Sequence, residues 1–455
     1  MGRDHRDRAL AVAWTEQPAT RHRMRTTVVT VGDGGRFRIT RLGEGCGIPA
    51  VLLPGMFDNR RLYLWPGGLA EALADAGFDP WIVERRGTGD VAQAFGTRAG
   101  WEEMVRVDLP AVQRLIADDT GRPAFWLGHS FGGVALARAA AETLDRSGLA
   151  GLVLVNSAVD IPLLANRVVN AAVRSRIWKG VFPSRRLRLG PEDEPIAALD
   201  DAVGWGIAER CRGDLSSMLT TVDVPLLAIT APRDGVAPAS RTRRMVRPAA
   251  GLDRRVQSAG RAHGFARDYA HANTLLHPVA RTDVFPFLVD WLVARSGQLA
   301  PAKVTAPQCA GRHRLRFRAT LDVPVEQLFR ILIRHWAVLW PVRQRRVRDG
   351  VDAAEPDGLR SVRAQRVLGI WRIQEEIVTY QPPRLIEYRT IKGPVRNHLG
   401  RIELRCAPGG GTVVDYRVGF DTPGWLPGRI VARVLDGTWR RWSLPRLRRL
   451  ATTMR

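Results

Sequence analysis

Short apolar runs recur along the first part of the chain: PAVLLPG (49–55), DPWIVE (79–84), AFWLG (124–128), GLVLVNS (151–157) and VPLLAIT (224–230). Gly, Pro or polar residues bound each run. Stretches of helical periodicity such as LYLWPGGLAEALADAG and FGGVALARAAAETL separate most of them. Continuous apolar strands alternating with helices predict a parallel sheet covered on both faces. Ahead of them, TTVVTVGDGGRFRITRLG (26–43) alternates on both sides of an Asp-Gly-Gly turn and predicts a hairpin. RRVQSA (254–259) and TDVFPFLVDWLVAR (282–295) predict a last strand and a last helix.

The rhythm changes after residue 296. SGQLAPAKVTAPQCAG (296–311) has little periodicity and reads as a linker. HRLRFRATL (313–321) alternates as a strand, and VEQLFRILIRHWAVLW (325–340) has helical spacing. The segments from GLRSVRAQRVLG to GTVVDYRVGF predict successive antiparallel strands. Residues 427–453 read as mostly helical, with a break expected near Pro445. The predicted organisation is an N-terminal extension (1–25), an α/β unit (26–296), a linker (297–311) and an α+β unit (312–455) with a curved sheet and a long C-terminal helix.

Composition narrows the function classes. The chain has 455 residues, of which 45% are hydrophobic, with 14 Trp and 13 Phe, enough for two buried cores and too many for a solvated tail. No run approaches the roughly 18 apolar residues of a membrane span, and the first residues show no secretory h-region, so a cytoplasmic location is expected. Cys46, Cys211, Cys309 and Cys406 are scattered, which excludes a disulfide scaffold and gives no metal-ligand spacing; neither metal nor cofactor is expected. The net charge is +24, and 66 of the 69 basic residues are Arg, a bias of the whole chain. Residues 312–455 carry +16 and residues 1–311 carry +8. No nucleic-acid-binding motif accompanies the charge, so nucleic acid is not an expected partner. Solvated Arg-rich faces are the plain account, and weak peripheral contact with an anionic membrane is the other.

The string AFWLGHSFGG (124–133) places Gly128-His129-Ser130-Phe131-Gly132 where a buried strand meets a helix. A turn this tight projects the Ser hydroxyl above the sheet, and glycines on either side let backbones approach. A serine hydroxyl attacks a carbonyl only when an imidazole takes its proton, and the imidazole needs a carboxylate to fix its tautomer. Asp234, in VPLLAITAPRDGVAP, follows an apolar strand. His263 and His271 both lie beyond it, giving the order Ser, Asp, His.

With this elbow, the order of elements and the loop VLLPGMFDNRRLY, residues 26–296 resemble the α/β-hydrolase superfamily. The resemblance implies a mostly parallel sheet with a helical cap (161–222), Ser130 as nucleophile and Asp234 as the orienting acid. It also implies an oxyanion hole from the N–H groups of Met56 and Phe131. Either His263 or His271 suits the base. The string DYAHANTLLHPVARTDVFPFLVDWL resembles the lipase-like branch and favours His271. WIVERRGTGD and Asp108 read as architecture. Apolar cap positions, among them Leu163, Leu164, Val168, Trp178 and Phe182, suit either an acyl chain or the cap's own packing. A basic run from Arg174 to Arg188 suits a solvated face or an acidic head group.

Residues 312–455 resemble the SRPBCC superfamily (START-like, Bet v 1-like and polyketide cyclase/dehydrase domains). The carrying residues are DVPVEQLFRILIRHWAVLWP, the stretch from Glu376 to Tyr388 with PPRLIEY, and APGGGTVVDYRVGF. That resemblance implies an α+β helix-grip fold enclosing an apolar cavity, which Trp336, Trp340, Trp371 and Tyr388 would face. Together these features point to a serine hydrolase acting on a small apolar or lipid-like ester. The alternatives are a lipid-binding carrier with a vestigial hydrolase unit, or an acyltransferase using the same residues.

Overall fold

In the computed structural model, which describes residues 15–17, 21–43, 47–89, 91, 96–161, 180–251, 253–296, 311–367, 371–407 and 411–453, the chain divides into two units. One ends at residue 297 and the other begins at 298, except that Arg261–Ala266 is grouped with the second. Residues 162–179, which hold much of the expected cap and its basic run, and linker residues 297–310 lie outside the described residues.

The first unit is built on a sheet of nine strands: β1 (Thr15–Gln17), β2 (Met24–Thr30), β3 (Arg36–Leu42), β4 (Ile48–Leu53), β5 (Phe78–Glu84), β6 (Ala124–His129), β7 (Leu149–Val155), β10 (Leu226–Thr230) and β11 (Arg254–Ser258). Two short strands, β8 (Val181–Phe182) and β9 (Glu194–Pro195), pair as a separate ribbon. Every residue of β4, β5, β6 and β10 is buried, as expected for strands covered on both faces. The order is β1-β2-β3-β5-β4-β6-β7-β10-β11, antiparallel up to β5 and parallel from there on. From β4 the chain moves one way to β5 and later the other way to β6. The carboxyl ends of β4 and β6, which pair through Leu53 and Gly128, therefore open a crevice at a topological switch point.

The second unit is a seven-stranded antiparallel sheet: β12 (His313–Leu321), β13 (Gln344–Arg348), β14 (Val362–Val367), β15 (Trp371–Gln381), β16 (Leu385–Lys392), β17 (Arg396–Cys406) and β18 (Thr412–Asp421). Their order is β12-β18-β17-β16-β15-β14-β13. The helix Val325–Arg334 buries Leu328, Phe329, Ile331 and Leu332 on it, and Trp439, Leu447 and Ala451 of the C-terminal helices complete the core.

Two expectations need adjustment. The helical run read as 325–340 stops at Arg334 and restarts as Trp336–Leu339; the corner at His335 turns Trp336 inward, 5.3 Å ring to ring from Tyr388. At the C-terminus the helix does not break at Pro445. It runs from Gly428 to Thr453 with one wide π turn, Trp439–Ser443, just ahead of that proline. Pro445 has no N–H to offer the carbonyl four residues back, and its ring needs space there; the wide turn absorbs the mismatch.

Candidate active site

Ser130 sits between β6 and the helix Phe131–Glu142 with φ 53° and ψ −128°, a strained conformation that lifts its hydroxyl into the crevice. Its N–H donates to Val155 O at 2.9 Å. The neighbouring glycines are required by space. A Cβ on Gly128 would lie 2.4 Å from Gly133 Cα, and one on Gly132 2.4 Å from Pro54 O. Gly55, two residues beyond β4, lies against the serine: its Cβ would lie 2.7 Å from Ser130 Cβ.

His271 and Asp234 join Ser130 in one hydrogen-bonded chain. His271 Nε2 lies 2.8 Å from Ser130 Oγ, and His271 Nδ1 lies 2.8 Å from Asp234 Oδ2. With the proton of Nδ1 directed at the carboxylate, Nε2 is free to accept from the serine hydroxyl. Asp234 follows β10, and its Oδ1 accepts from Val236 N and Ala237 N, each at 2.8 Å. Burial pushes the Asp234 pKa up, but the His271 hydrogen bond and charge and the two backbone N–H groups outweigh it and hold the carboxyl below its ordinary value. His263 lies on the turn Arg261–His263; the imidazole joining Ser130 to Asp234 belongs to His271.

Phe131 opens the helix, where the first N–H groups have no intrahelical acceptor, and Met56 follows Gly55 in the turn beside the serine. His129 packs behind His271, with its Nε2 3.3 Å from the His271 carbonyl oxygen. It is buried, its ring is 4.8 Å from that of His271, and burial pushes its pKa down to about 3.

Several supporting residues carry no motif. Phe57 has φ 64°, and its N–H donates to Glu194 Oε2 at 2.8 Å. Glu194 is fully buried and paired with Arg85, whose Nη2 donates to the same oxygen at 2.9 Å. Asn59 Nδ2 donates to Glu192 Oε1 at 2.6 Å. The loop bearing Met56 is thus held by two acids, Glu194 in β9 and Glu192 just ahead of it. Asp58, on the same loop, is pushed up to about 6 by burial. Arg86 donates to Asp108 and Asp33, tying the strand-turn WIVERRGTGD to the helix behind the elbow. Among the described residues, no three His, Cys, Asp or Glu side chains are grouped to hold a metal ion.

In the second unit, Trp336 and Tyr388 line a cavity of about 10 Å3 with Ile333, Ile377, Ile386, Arg363 and Glu375, room for one water molecule. Burial pushes the Glu375 carboxyl up to about 7. The other two aromatics do not line it: Trp340 packs between Trp336 and Trp439, at 6.3 Å from each ring, and Trp371 packs with Trp425 at 6.2 Å. No helix among the described residues is long and apolar enough to cross a membrane.

Residues 50–200 match the family described as serine aminopeptidase, S33. Residues 312–454 match the family described as polyketide cyclase / dehydrase and lipid transport. No curated protein matches the chain. Among solved structures, it is similar to a monoacylglycerol lipase of Paleococcus ferrophilus (18% identity, 57% of this chain and 99% of that chain, TM-score 0.42). It is also similar to a thermophilic esterase from Thermogutta terrifontis (20%, 59% and 98%, TM-score 0.44) and a hydrolase from Pseudomonas aeruginosa (17%, 60% and 98%, TM-score 0.44). By its sheet topologies and its two family matches, the chain joins an α/β-hydrolase unit to an SRPBCC helix-grip unit.

Proposed function

We propose that the first unit is a serine esterase acting on small apolar or lipid-like acyl esters. The observation that carries this reading is the chain Ser130–His271–Asp234, with both links at 2.8 Å, on a strained elbow at the sheet's switch point. Ser130 Oγ attacks the ester carbonyl as its proton passes to His271 Nε2. Asp234 holds the imidazole and stabilises its charged form. The tetrahedral oxyanion accepts hydrogen bonds from the N–H groups of Met56 and Phe131. His271 then gives its proton to the departing alcohol, and water releases the acid from the acyl-serine by the same steps in reverse.

An apolar acyl group suits the surroundings. Met56 packs against the core, and the half-buried rings of Phe57 and Phe182 lie 6.2 Å apart next to the loop. The second unit, matched to a family that includes lipid transport, would bind an apolar substrate or product. The cavity beside Trp336 has room for about one water, but a cleft of about 650 Å3 along the helix Val325–Arg334, lined by Phe329, Ile333, Tyr380 and Pro382 with Arg330 and Glu355 among its polar residues, has the size such a ligand needs.

The test is hydrolysis of p-nitrophenyl esters of increasing acyl length by the full chain, beside the matching anilides. Turnover of esters that falls by roughly three to six orders of magnitude in Ser130→Ala supports the reading. Turnover unchanged in that variant overturns it. A folded protein that hydrolyses nothing while the second unit takes up apolar probes would favour the carrier alternative. Ester products appearing with added alcohols would favour acyl transfer.

A further inference from the structure

The C-terminal helices carry apolar residues on both faces. The inner one is accounted for: Val431, Ala432, Leu435, Leu444 and Leu450 pack against the core around Trp439 and Leu447. The outer one is not. Ile430 is 56% exposed, Val434 60% and Trp442, with the Arg446 guanidinium 3.5 Å over its ring, 39%; Trp425, in the turn just ahead of the helix, touches Trp371 and is still 66% exposed. Ile430 and Val434 stand one turn apart, so they project side by side.

These outer residues are set among cations. Arg429, Arg433, Arg440, Arg441, Arg448 and Arg449 are all exposed on the same helices. Asp436, paired with Arg440, is the only acidic residue between 425 and 453. A solvated helix face has no use for Ile, Val and Trp at this exposure, and general Arg enrichment does not place them there. Nucleic acid would satisfy the arginines and leave Ile430 and Val434 in water. A bilayer with anionic head groups satisfies both: aliphatic side chains and Trp enter the boundary of the acyl region while Arg pairs with phosphate.

We propose that the outer face of Gly428–Thr453, with Trp425, docks on the surface of an anionic lipid bilayer. The proposal is independent of the esterase reading, since it uses none of the residues around Ser130.

The test is flotation of the full chain with vesicles of phosphatidylcholine alone and of phosphatidylcholine mixed with phosphatidylglycerol, at low and high salt. Binding should require phosphatidylglycerol and weaken as salt rises. Ile430→Asp with Val434→Asp, and separately Arg429→Gln with Arg433→Gln, should each lower vesicle affinity about tenfold or more. Both variants change exposed side chains, so their thermal melting and their activity on a soluble ester should match the parent protein. The proposal is overturned if the parent shows no lipid-dependent flotation, or if the Ile430→Asp/Val434→Asp protein floats as well as the parent. It is also overturned if that variant merely converts a self-associated parent to monomer without altering its flotation.

Discussion

The side-chain amide of Asn156 donates to the backbone carbonyl of His271 at 2.5 Å, anchoring the loop that carries the imidazole to the end of β7. Asn156 is fully buried, has φ 50°, and uses the same Nδ2 on Thr274 Oγ1 at 2.8 Å. Asn is one of the few residues that adopts this backbone conformation readily, so it supplies both the turn and the donor.

Removing that donor should loosen His271 without touching the reacting atoms. Asn156→Gly keeps the positive φ and deletes the amide. Its kcat should fall about 10- to 100-fold with KM little changed, because small misplacement of a catalytic group is costly. Steady-state kinetics on a soluble ester check this, and an unchanged kcat would show that the loop holds itself.

Asp234→Asn should reduce kcat by roughly four orders of magnitude, since an amide facing Nδ1 favours the wrong tautomer. His271→Ala should be as inactive as Ser130→Ala. His263→Ala, altering an imidazole that lies outside the Ser130–Asp234 chain, should retain most activity. Parallel kinetics of the three variants decide between the two histidines.

Glu194 holds two groups at once, the Arg85 guanidinium and the Phe57 N–H. Glu194→Gln leaves an acceptor for Phe57 and strands a buried cation. It should therefore cost roughly 3–5 kcal/mol of stability in urea denaturation. Adding Arg85→Met should recover part of that loss, because the stranded charge is gone. If Glu194→Gln unfolds at the parent's midpoint, the pair does not carry the loop.

Acid should destabilise the first unit through His129. Burial, with the His271 charge second, pushes this imidazole from 6.5 down to about 3. The unfolded chain therefore binds a proton near 6.5 that the folded protein refuses until about 3. Its contribution is complete above about 6.5 and declines as pH falls through that window. From neutral pH to about 5 the expected loss is about 1–2 kcal/mol. His129→Asn should flatten that part of the stability–pH curve, and an unaltered slope would contradict the assignment.

Local features of the chain were legible because their causes are local. The buried strands β4, β5, β6 and β10 are continuous apolar runs, and Gly128, Ser130 and Gly132 are dictated by one turn. β13 escaped because Gln344–Arg348 has one apolar residue and three arginines, no alternation to read. The clamp on the Met56 loop escaped for a different reason. Phe57 and Glu194 are 137 residues apart and Arg85 and Glu194 are 109 apart, so nothing near any of them signals the contact. Asn156 looked like an ordinary residue after a strand until the fold brought His271 over it. Pro445 does require the helix to adjust, but the backbone accommodates it one turn earlier, in the wide turn Trp439–Ser443, rather than by breaking at the proline.

The most direct measurement on the central claim is labelling of the folded full chain with a fluorophosphonate, comparing the parent with Ser130→Ala, His271→Ala and His263→Ala. One phosphonyl group per chain is expected on Ser130, lost in Ser130→Ala, severely slowed in His271→Ala and retained in His263→Ala. Labelling that persists in Ser130→Ala, or that depends on His263 and not on His271, would contradict that expectation.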